Sequence, residues 1–220
     1  ILKAMDKAAR PLIRDFNELE NLQVSRKGPA DFVSAADIRT EEILRRELKK
    51  ARPGYGFLGE EGEEEAGDTD TRFIIDPIDG TTNFLHGIPH FCMSVGVEQA
   101  GELIAGVIYD PVKNEIFWAE KGLGAWCNER RLRVSGRRDL KEAVLATGIP
   151  FAGHGDKDTF LQTLGRMIPE IAGVRRFGAA ALDLAYVAAG RFDAYWEPHI
   201  KPWDIAAGIV LVRDAGGAVC

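Results

Sequence analysis

The 220-residue sequence predicts an α+β fold in which two halves, each made of a sheet and helices, enclose a cleft. Apolar residues recur at helical spacing through most of residues 1–50, which predicts helices there. Short β-rich runs separated by turn residues follow between residues 91 and 134, and strand-like and helix-like segments alternate after residue 138. We therefore expect an antiparallel sheet in residues 1–137, a smaller mixed sheet in residues 138–220, and one functional site between them.

The first half is predicted to open with two helices. Apolar residues from Met5 to Phe16 share one helical face and predict a helix over residues 1–20. The segment RKGPADFVSAAD is then typical of a turn and a short strand, and Asp37 is expected to open the second helix as its N-cap, since Glu41 follows it. That helix is predicted to end at RPGYG, where proline and glycine interrupt it.

Strands are predicted for the rest of the first half. YGFLGEEG predicts a brief strand running into an acidic loop, and RFIID predicts a buried strand whose exit is PIDGTTNF. The runs FCMSVGVEQ, ELIAGVIYD, NEIFWAE and GAWCN are separated by the turn sequences AG, DPVKN and KGLG. This spacing predicts an antiparallel meander.

The second half is predicted to alternate strands with helices. We expect strands at EAVLATG, GVRRF and RFDAYWE, and helices over residues 158–167, 179–189 and 203–214. The final residues, GGAVC, are expected to begin a further strand. We also expect the natural chain to extend beyond both ends of this sequence.

Composition argues against several classes of protein. The formal net charge of −6 and a sequence pI near 5.4 provide no overall attraction to nucleic acid or anionic membranes, although ERRLRVSGRR, residues 129–138, is a local basic segment. No stretch is apolar over the roughly 18–20 residues that a membrane span requires, and no signal-peptide pattern opens the sequence. The cysteines are few and widely spaced, which predicts reduced thiols in a cytosolic protein.

Four acidic residues lie where an apolar element meets a loop or a helix start: Glu60, Asp76, Asp79 and Asp204. Pro77 restricts Asp76 to an extended conformation, and the turn at Gly80 lets Asp79 fold back towards it. Adjacent carboxylates repel each other unless a cation lies between them, and oxygen ligands without His or Cys favour Mg²⁺ or Mn²⁺ over zinc. The alternative is that these acids cap helices or stabilise turns.

The residues after Asp79 predict a phosphate site. Gly80 is followed by two hydroxyl residues, Thr81 and Thr82, at the start of a helix. Free backbone N–H groups and the positive end of the helix dipole attract anions at such a position. A cation-binding carboxylate pair beside an anion site suggests the hydrolysis of a phosphate ester.

Three separated segments, GEEG, DPIDGTTNFLHGIPHFCMSVGV and KPWDIAAGIVLVRDAGG, carry a resemblance to a known family. They resemble the hallmark segments of the inositol monophosphatase family, the magnesium-dependent, lithium-sensitive phosphatases. DFVSAAD and FGAAALDLAYVAAGRFDAYWE also resemble that family, particularly its bacterial members, and the resemblance extends from residue 3 to residue 219. It implies a layered αβαβα sandwich of the sugar-phosphatase type.

The resemblance also implies the residues of the catalytic and metal sites. Carried over to this sequence, the metal ligands are Glu60, Asp76, Asp79, Asp204 and the carbonyl of Ile78. Glu60 would also contact the attacking water, and Thr81, hydrogen-bonded to Asp37, would orient or activate that water. Lys27 matches a lysine in the mobile loop near the metals.

Substrate contacts are implied in the same way. The substrate-binding residues carried over are Asp79, Gly80, Thr81, Thr82, Ala180 and Glu197. The backbone amides of Gly80 and Thr81 would hold the phosphate, and Glu197 would hold a hydroxyl group of a sugar or inositol.

The activity implied is that of a phosphomonoester hydrolase using two or three Mg²⁺ ions, with Mn²⁺ as a substitute. Water would attack phosphorus in line, and inositol-1-phosphate is the first choice of substrate. Fructose-1,6-bisphosphate, 3′-phosphoadenosine-5′-phosphate and histidinol phosphate are alternatives, because related families hydrolyse them on the same scaffold. A cytoplasmic homodimer without membrane contact is also implied.

A regulatory role in binding the transcription machinery is a second hypothesis, since bacterial relatives have such roles and residues 129–138 are basic.

Overall fold

The computed structural model of the chain describes residues 1–19, 24–28, 31–150 and 155–220, with residues 24–28 and 31–33 described by their backbone alone. The helices are α1 (Leu2–Asn17), α2 (Ala35–Ala51), α3 (Thr81–Leu85), α4 (Lys157–Met167), α5 (Ala180–Ala188) and α6 (Pro202–Asp214). The strands are β1 (Val24–Gly28), β2 (Asp31–Ser34), β3 (Gly56–Gly59), β4 (Thr71–Asp79), β5 (Cys92–Gln99), β6 (Glu102–Asp110), β7 (Glu115–Glu120), β8 (Gly124–Cys127), β9 (Arg130–Arg131), β10 (Val144–Thr147), β11 (Gly173–Arg175) and β12 (Ala194–Trp196). Short 3₁₀ turns cover Leu140–Glu142 and Ile168–Glu170.

Strands β3 to β9 form a seven-stranded sheet whose strand order follows the chain. β3 and β4 run parallel, and each later pair of neighbours is antiparallel, so the predicted meander is confirmed. Strand β10 lies between β11 and β12 in a three-stranded sheet and is parallel to both. The mixed sheet expected in the second half is therefore not observed among the described strands. The connections through α4 and α5 return each strand in the same direction, as crossover helices do.

Two hydrophobic cores form where the layers pack together. The first joins α1 and α2 to one face of the large sheet and includes Leu12 and Phe73. The second joins the other face to α5 and α6, includes Phe117 and Leu182, and continues to Ala146 in the small sheet. Each layer thus buries its apolar face against the next.

Helix α4 covers the outer side of the small sheet, where the Phe160 ring stacks on the Trp196 ring with centroids 6.5 Å apart. The layers therefore run α1 and α2, large sheet, α5 and α6, small sheet, α4. This order is the αβαβα sandwich, and the predicted fold class is confirmed.

The start of α2 differs from the prediction. Ser34 is the N-cap: its side chain accepts hydrogen bonds from the amides of Ala36 and Asp37, while the Asp37 carboxylate accepts one from the Ser34 amide. The prediction that Asp37 is the N-cap is therefore wrong, because a hydroxyl residue three positions before an acid forms a capping box. Asp37 lies inside the first turn instead, fully buried.

Near the C-terminus, residues 217–220 have no regular secondary structure, so the strand expected at GGAVC is not formed. Helices α4, α5 and α6 begin and end close to their predicted bounds. In the described part of the chain, no helix combines the length and the apolar character that crossing a membrane requires.

Candidate active site

The parallel pairing of β3 and β4 brings two of the predicted acids to the same edge of the sheet. Gly59 pairs with Ile75 in this register, and the Glu60 amide donates to the Ile75 carbonyl over 3.2 Å. Glu60 directly follows β3, and Asp76 lies next to Ile75 within β4, so both acids are near the carboxyl ends of neighbouring parallel strands, where binding sites commonly form. Asp76 is buried, and its Oδ1 accepts a hydrogen bond of 3.0 Å from the Ile78 amide.

The exit of β4 is a tight turn at Gly80. Gly80 has a φ of 93°, in the left-handed region that glycine tolerates best, and α3 begins at the next residue. An added Cβ would lie 3.1 Å from the His90 carbonyl oxygen and 3.3 Å from that of Gly178. The first helical hydrogen bond runs from the Phe84 amide to the Gly80 carbonyl, so the amides of residues 81–83 are not used by the helix.

Asp79 connects the end of β4 to the start of α5. Its Oδ1 accepts a hydrogen bond of 3.1 Å from the Ala180 amide, and its Oδ2 accepts one of 2.6 Å from the Ala181 amide. These donors lie at the N-terminal end of α5, where free amides favour a carboxylate. Ala180, which the resemblance gave as a substrate-binding residue, therefore lies beside Asp79. The Cys92 thiol is a further neighbour, 3.7 Å from Asp79 Oδ2.

Thr81 and Asp37 form the predicted pair, 44 positions apart in the chain. The Thr81 hydroxyl lies 3.1 Å from Asp37 Oδ1 and 3.0 Å from the Ile78 carbonyl oxygen, and it donates its one proton to one of these acceptors. Ser34 occupies the other oxygen of Asp37, with 2.5 Å from its hydroxyl and 2.8 Å from its amide. The capping box thus orients Asp37 towards Thr81.

The remaining predicted acids lie later in the chain, directly after β12 and at the start of α6. Asp204 is the third residue of α6, and its Oδ2 accepts a hydrogen bond of 2.9 Å from the Lys201 amide. Glu197 accepts a hydrogen bond of 2.5 Å from the Tyr195 hydroxyl, and its carboxyl group packs directly on Gly148. Lys201 is the N-cap of α6, so Asp204, like Asp37 in α2, supports the first turn from the third helical position, and its other lone pairs stay available.

Burial and mutual repulsion perturb these carboxyl groups. Burial, followed by the charges of Glu60, Asp79 and Asp204, raises the pKa of Asp76 well above its usual range. Burial, followed by the charge of Asp204, raises the pKa of Asp79 to about 7. The hydrogen bonds from the two α5 amides lower this pKa and so limit the rise. Burial also raises the pKa of Asp204 to about 6. Strongly perturbed acids in a cleft are typical of functional sites.

These acids fit a hard divalent cation by their chemistry. They offer only oxygen ligands, and a cation would relieve both their burial and their repulsion. Within residues the structure describes, no group of three or more His, Cys, Asp or Glu side chains is already arranged to hold a metal ion. Asp79 and Asp204 direct oxygens at backbone amides instead. The predicted ligand set therefore stays a prediction.

Other predicted residues lie at the edge of the site. The Thr82 side chain is exposed, and the side chain of Lys27 lies outside the described residues. His86 is exposed, whereas the His90 ring packs against Phe177 with centroids 5.0 Å apart. Burial lowers the pKa of His90 to about 4, so the ring is neutral. His86 is therefore a surface residue and His90 a packing residue.

Sequence reasoning did not identify Asp183. This residue of α5 is 1% exposed, and its Oδ1 has no hydrogen-bond partner among the described residues. Burial, followed by the charges of Asp79 and Glu197, raises its pKa to about 8. The available signal was a single charge inside the apolar segment AALDLAYVA.

Comparisons with known proteins show sequences and structures similar to this chain. The family model described as "Inositol monophosphatase family" matches residues 2–220. The "Inositol-1-monophosphatase" of Rhizobium meliloti is 56% identical over 99% of this chain and 82% of that protein. The crystal structure of the "extragenic suppressor protein suhB" of Bartonella henselae superposes with a TM-score of 0.94 and 56% identity, over 98% of this chain and 83% of that one. The "Nus factor SuhB" of Xylella fastidiosa is 45% identical over all of this chain and 80% of that protein.

Proposed function

The chain belongs to the inositol monophosphatase family and is a phosphoric monoester hydrolase, and from this premise we propose that it hydrolyses inositol-1-phosphate with Mg²⁺. The observation that carries the proposal is the cluster of buried, mutually repelling acids beside the Gly80 turn. Asp79 belongs to both features, because it is the last residue of β4 and precedes Gly80. An acidic cluster alone would repel a phosphate, so a cation must bind with the substrate.

The residues that would hold the cations are Glu60, Asp76, Asp79, Asp204 and the carbonyl of Ile78. Members of the family generally depend on Mg²⁺, which when bound offsets negative charge on the phosphate and on the leaving oxygen. The proposal includes two or three Mg²⁺ ions, which Mn²⁺ can replace, and inhibition of the enzyme by Li⁺. The raised pKa values of Asp76, Asp79 and Asp204 support cation binding, because they reflect an unfavourable concentration of negative charge that a cation would offset.

Asp37, Thr81 and Glu60 would prepare the attacking water. When Asp37 Oδ1 accepts the Thr81 proton, the Thr81 oxygen keeps lone pairs that can accept a hydrogen bond from water. Glu60 would hold the same water from the end of β3. The water oxygen then attacks phosphorus in line, the P–O ester bond breaks, and the alcohol leaves with a proton. No covalent phosphoenzyme is required.

We expect Thr81→Val to lower kcat by about 10²-fold, because the water loses an acceptor that positions it. Thr81→Ser keeps the hydroxyl and is the matched control, with activity within about tenfold of wild type. Steady-state phosphate release measures both variants. An active Thr81→Val enzyme would remove Thr81 from the mechanism.

Phosphate and polyol would bind on either side of Asp79. The amides of Gly80 and Thr81, which α3 does not use, would hold the phosphate, with Thr82 and Ala180 beside it. Glu197 would accept a hydrogen bond from an inositol hydroxyl. Its carboxylate already accepts one from Tyr195, which fixes its direction.

Gly148→Ala offers a test of the Glu197 role. A Cβ at residue 148 would overlap the Glu197 carboxyl group, the flexible end of a side chain, so Glu197 should move while the fold remains. We expect the KM for inositol-1-phosphate to rise about tenfold, the effect of one lost hydrogen bond to a charged group. Activity on p-nitrophenyl phosphate, which lacks the polyol, should stay within about threefold of wild type. Gly136→Ala is the control, since nothing lies within 4 Å of its added Cβ.

The substrate proposal is tested by kcat/KM on four esters, with and without Mg²⁺ and with Li⁺. Inositol-1-phosphate should be preferred over fructose-1,6-bisphosphate, 3′-phosphoadenosine-5′-phosphate and histidinol phosphate. A preference above about tenfold for the nucleotide or for histidinol phosphate would overturn the assignment.

We further propose that the enzyme is a homodimer located in the cytoplasm. Size-exclusion chromatography with light scattering would test the homodimer, and cell fractionation would test the location.

A second function is proposed because of the relatives named "Nus factor SuhB", 42–45% identical to this chain. We propose that the protein can also bind the transcription machinery, using the exposed basic segment 129–138 as one contact. The acidic total charge disfavours direct binding to nucleic acid, so a protein partner is the better match. Capture of RNA polymerase by a catalytically inactive variant would support this role, and loss of capture together with activity would contradict it.

A further inference from the structure

Helix α2 presents two buried acids on one face. Asp37 and Glu41 are four positions apart, so their side chains point in the same direction, and they are 0% and 2% exposed. Asp37 contacts Thr81 at the exit of β4. Glu41 contacts a different segment, the loop that follows β3.

Glu41 holds this loop by its backbone. Its Oε2 accepts a hydrogen bond of 2.9 Å from the Glu61 amide, and its Oε1 accepts one of 2.9 Å from the Gly62 amide. Arg45, one turn later in α2, donates to the same Oε1 over 2.7 Å. A bidentate carboxylate on two successive amides defines the course of the loop more tightly than one hydrogen bond could.

The two glycines of the GEEG segment make room for this contact. A Cβ added at Gly59 would overlap Glu41 Oε1, and one added at Gly62 would lie 2.6 Å from the same atom. Neither glycine has a positive φ, so their small size rather than their backbone freedom matters here. The Glu41 carboxylate therefore fills the space that side chains at both positions would need.

Glu60 lies between two anchored stretches of backbone. On one side its own amide continues the β3–β4 ladder to Ile75, and on the other the amides of Glu61 and Gly62 bind Glu41. We propose that Glu41 is a positioning residue that sets the placement of Glu60 relative to Thr81. Through Asp37 and Glu41, one rigid helix then holds both residues that prepare the water. This inference rests on the proposed function for the role of Glu60.

The variant Glu41→Gln tests the inference. An amide has one acceptor oxygen, so one of the two loop amides would face an NH₂ group and lose its partner. We expect kcat to fall by about 10²-fold with KM changed less than about threefold, because misplacement by a fraction of an ångström affects the reacting geometry first. Glu42→Gln is the matched control, since the neighbouring Glu42 is exposed.

Hydrogen exchange provides a readout independent of activity. In Glu41→Gln, a peptide covering residues 58–63 should exchange at least about tenfold faster than in wild type, while peptides of α2 keep their protection. Gly62→Ala keeps the glutamate at position 41 but pushes its carboxylate away from the loop. This variant should show the same two effects if Glu41→Gln proves too unstable to assay. Thermal unfolding establishes that each variant is folded at the assay temperature.

The outcomes separate this inference from the proposed function. Slow turnover together with faster loop exchange supports the positioning role. A folded Glu41→Gln enzyme with kcat within about threefold of wild type, or with unchanged loop exchange, overturns it. If wild type hydrolyses none of the four esters, the proposed function fails, and the exchange of residues 58–63 alone decides whether Glu41 holds the loop.

Discussion

Asp79→Asn is expected to abolish turnover, with kcat lowered by about 10³-fold or more, while the chain stays folded. Asp79 offers two carboxylate oxygens to the amides of Ala180 and Ala181 and would also bind a cation. Asparagine has one oxygen, so its NH₂ group must face one of those amides and its charge is lost. Phosphate release under saturating inositol-1-phosphate and Mg²⁺ measures the effect.

The same variant should not lose stability above neutral pH. Burial holds the charged form of Asp79 at a disadvantage, since the pKa is raised from 3.8 to about 7, and asparagine removes that charge. Asp6→Asn on the exposed face of α1 is the control for the chemical change. An Asp79→Asn enzyme with normal turnover and normal Mg²⁺ dependence would refute the assignment of this acid.

Removal of divalent cations is expected to reduce phosphate release to background and to destabilise the protein most at alkaline pH. A carboxyl group whose folded pKa is raised stabilises the fold fully below its ordinary pKa, and that stability is lost as pH rises through the folded pKa. For Asp204 this stability is lost between about pH 4 and about pH 6, and for Asp79 it is lost between about pH 4 and about pH 7. Above this window the folded chain carries buried charges that only a cation can offset.

The measurement is the unfolding temperature in chelator and in Mg²⁺ across this range. We expect the difference between the two conditions to be small near about pH 5 and to reach several degrees near about pH 8. The gap should narrow in Asp79→Asn, where one of the titrating acids is absent. Equal unfolding temperatures in chelator and in Mg²⁺ at alkaline pH would show that these acids hold no cation.

Local patterns predicted most of the elements. The meander from β5 to β8 and helices α4, α5 and α6 followed from periodicity and turn residues, because each is decided by neighbours in the chain. The start of α2 was misassigned, since both Ser34 and Asp37 are good capping residues and only the observed hydrogen bonds distinguish them. The strand directions of the small sheet likewise depend on the connections rather than on composition.

Site residues divide in a similar way. The Thr81–Asp37 contact was predicted from resemblance and is observed. Asp183 and Glu41 were missed as site residues. The signal for Asp183 was a single charge inside an apolar segment, whereas no sequence signal tells a buried Glu41 from an exposed one. The metal ligand set and the division at residues 137 and 138 remain predictions.

The sequence by itself determined most of the elements and the family to which the chain belongs, because helical and strand periods and contiguous motifs are local properties. Only the tertiary structure decided that Asp79 meets the start of α5, a contact across 101 positions of the chain. It also decided that Glu41 holds the loop after β3, and that the acids lie deep enough for their pKa values to rise. Burial and electrostatic repulsion depend on distances through space, and those distances arise when the layers pack.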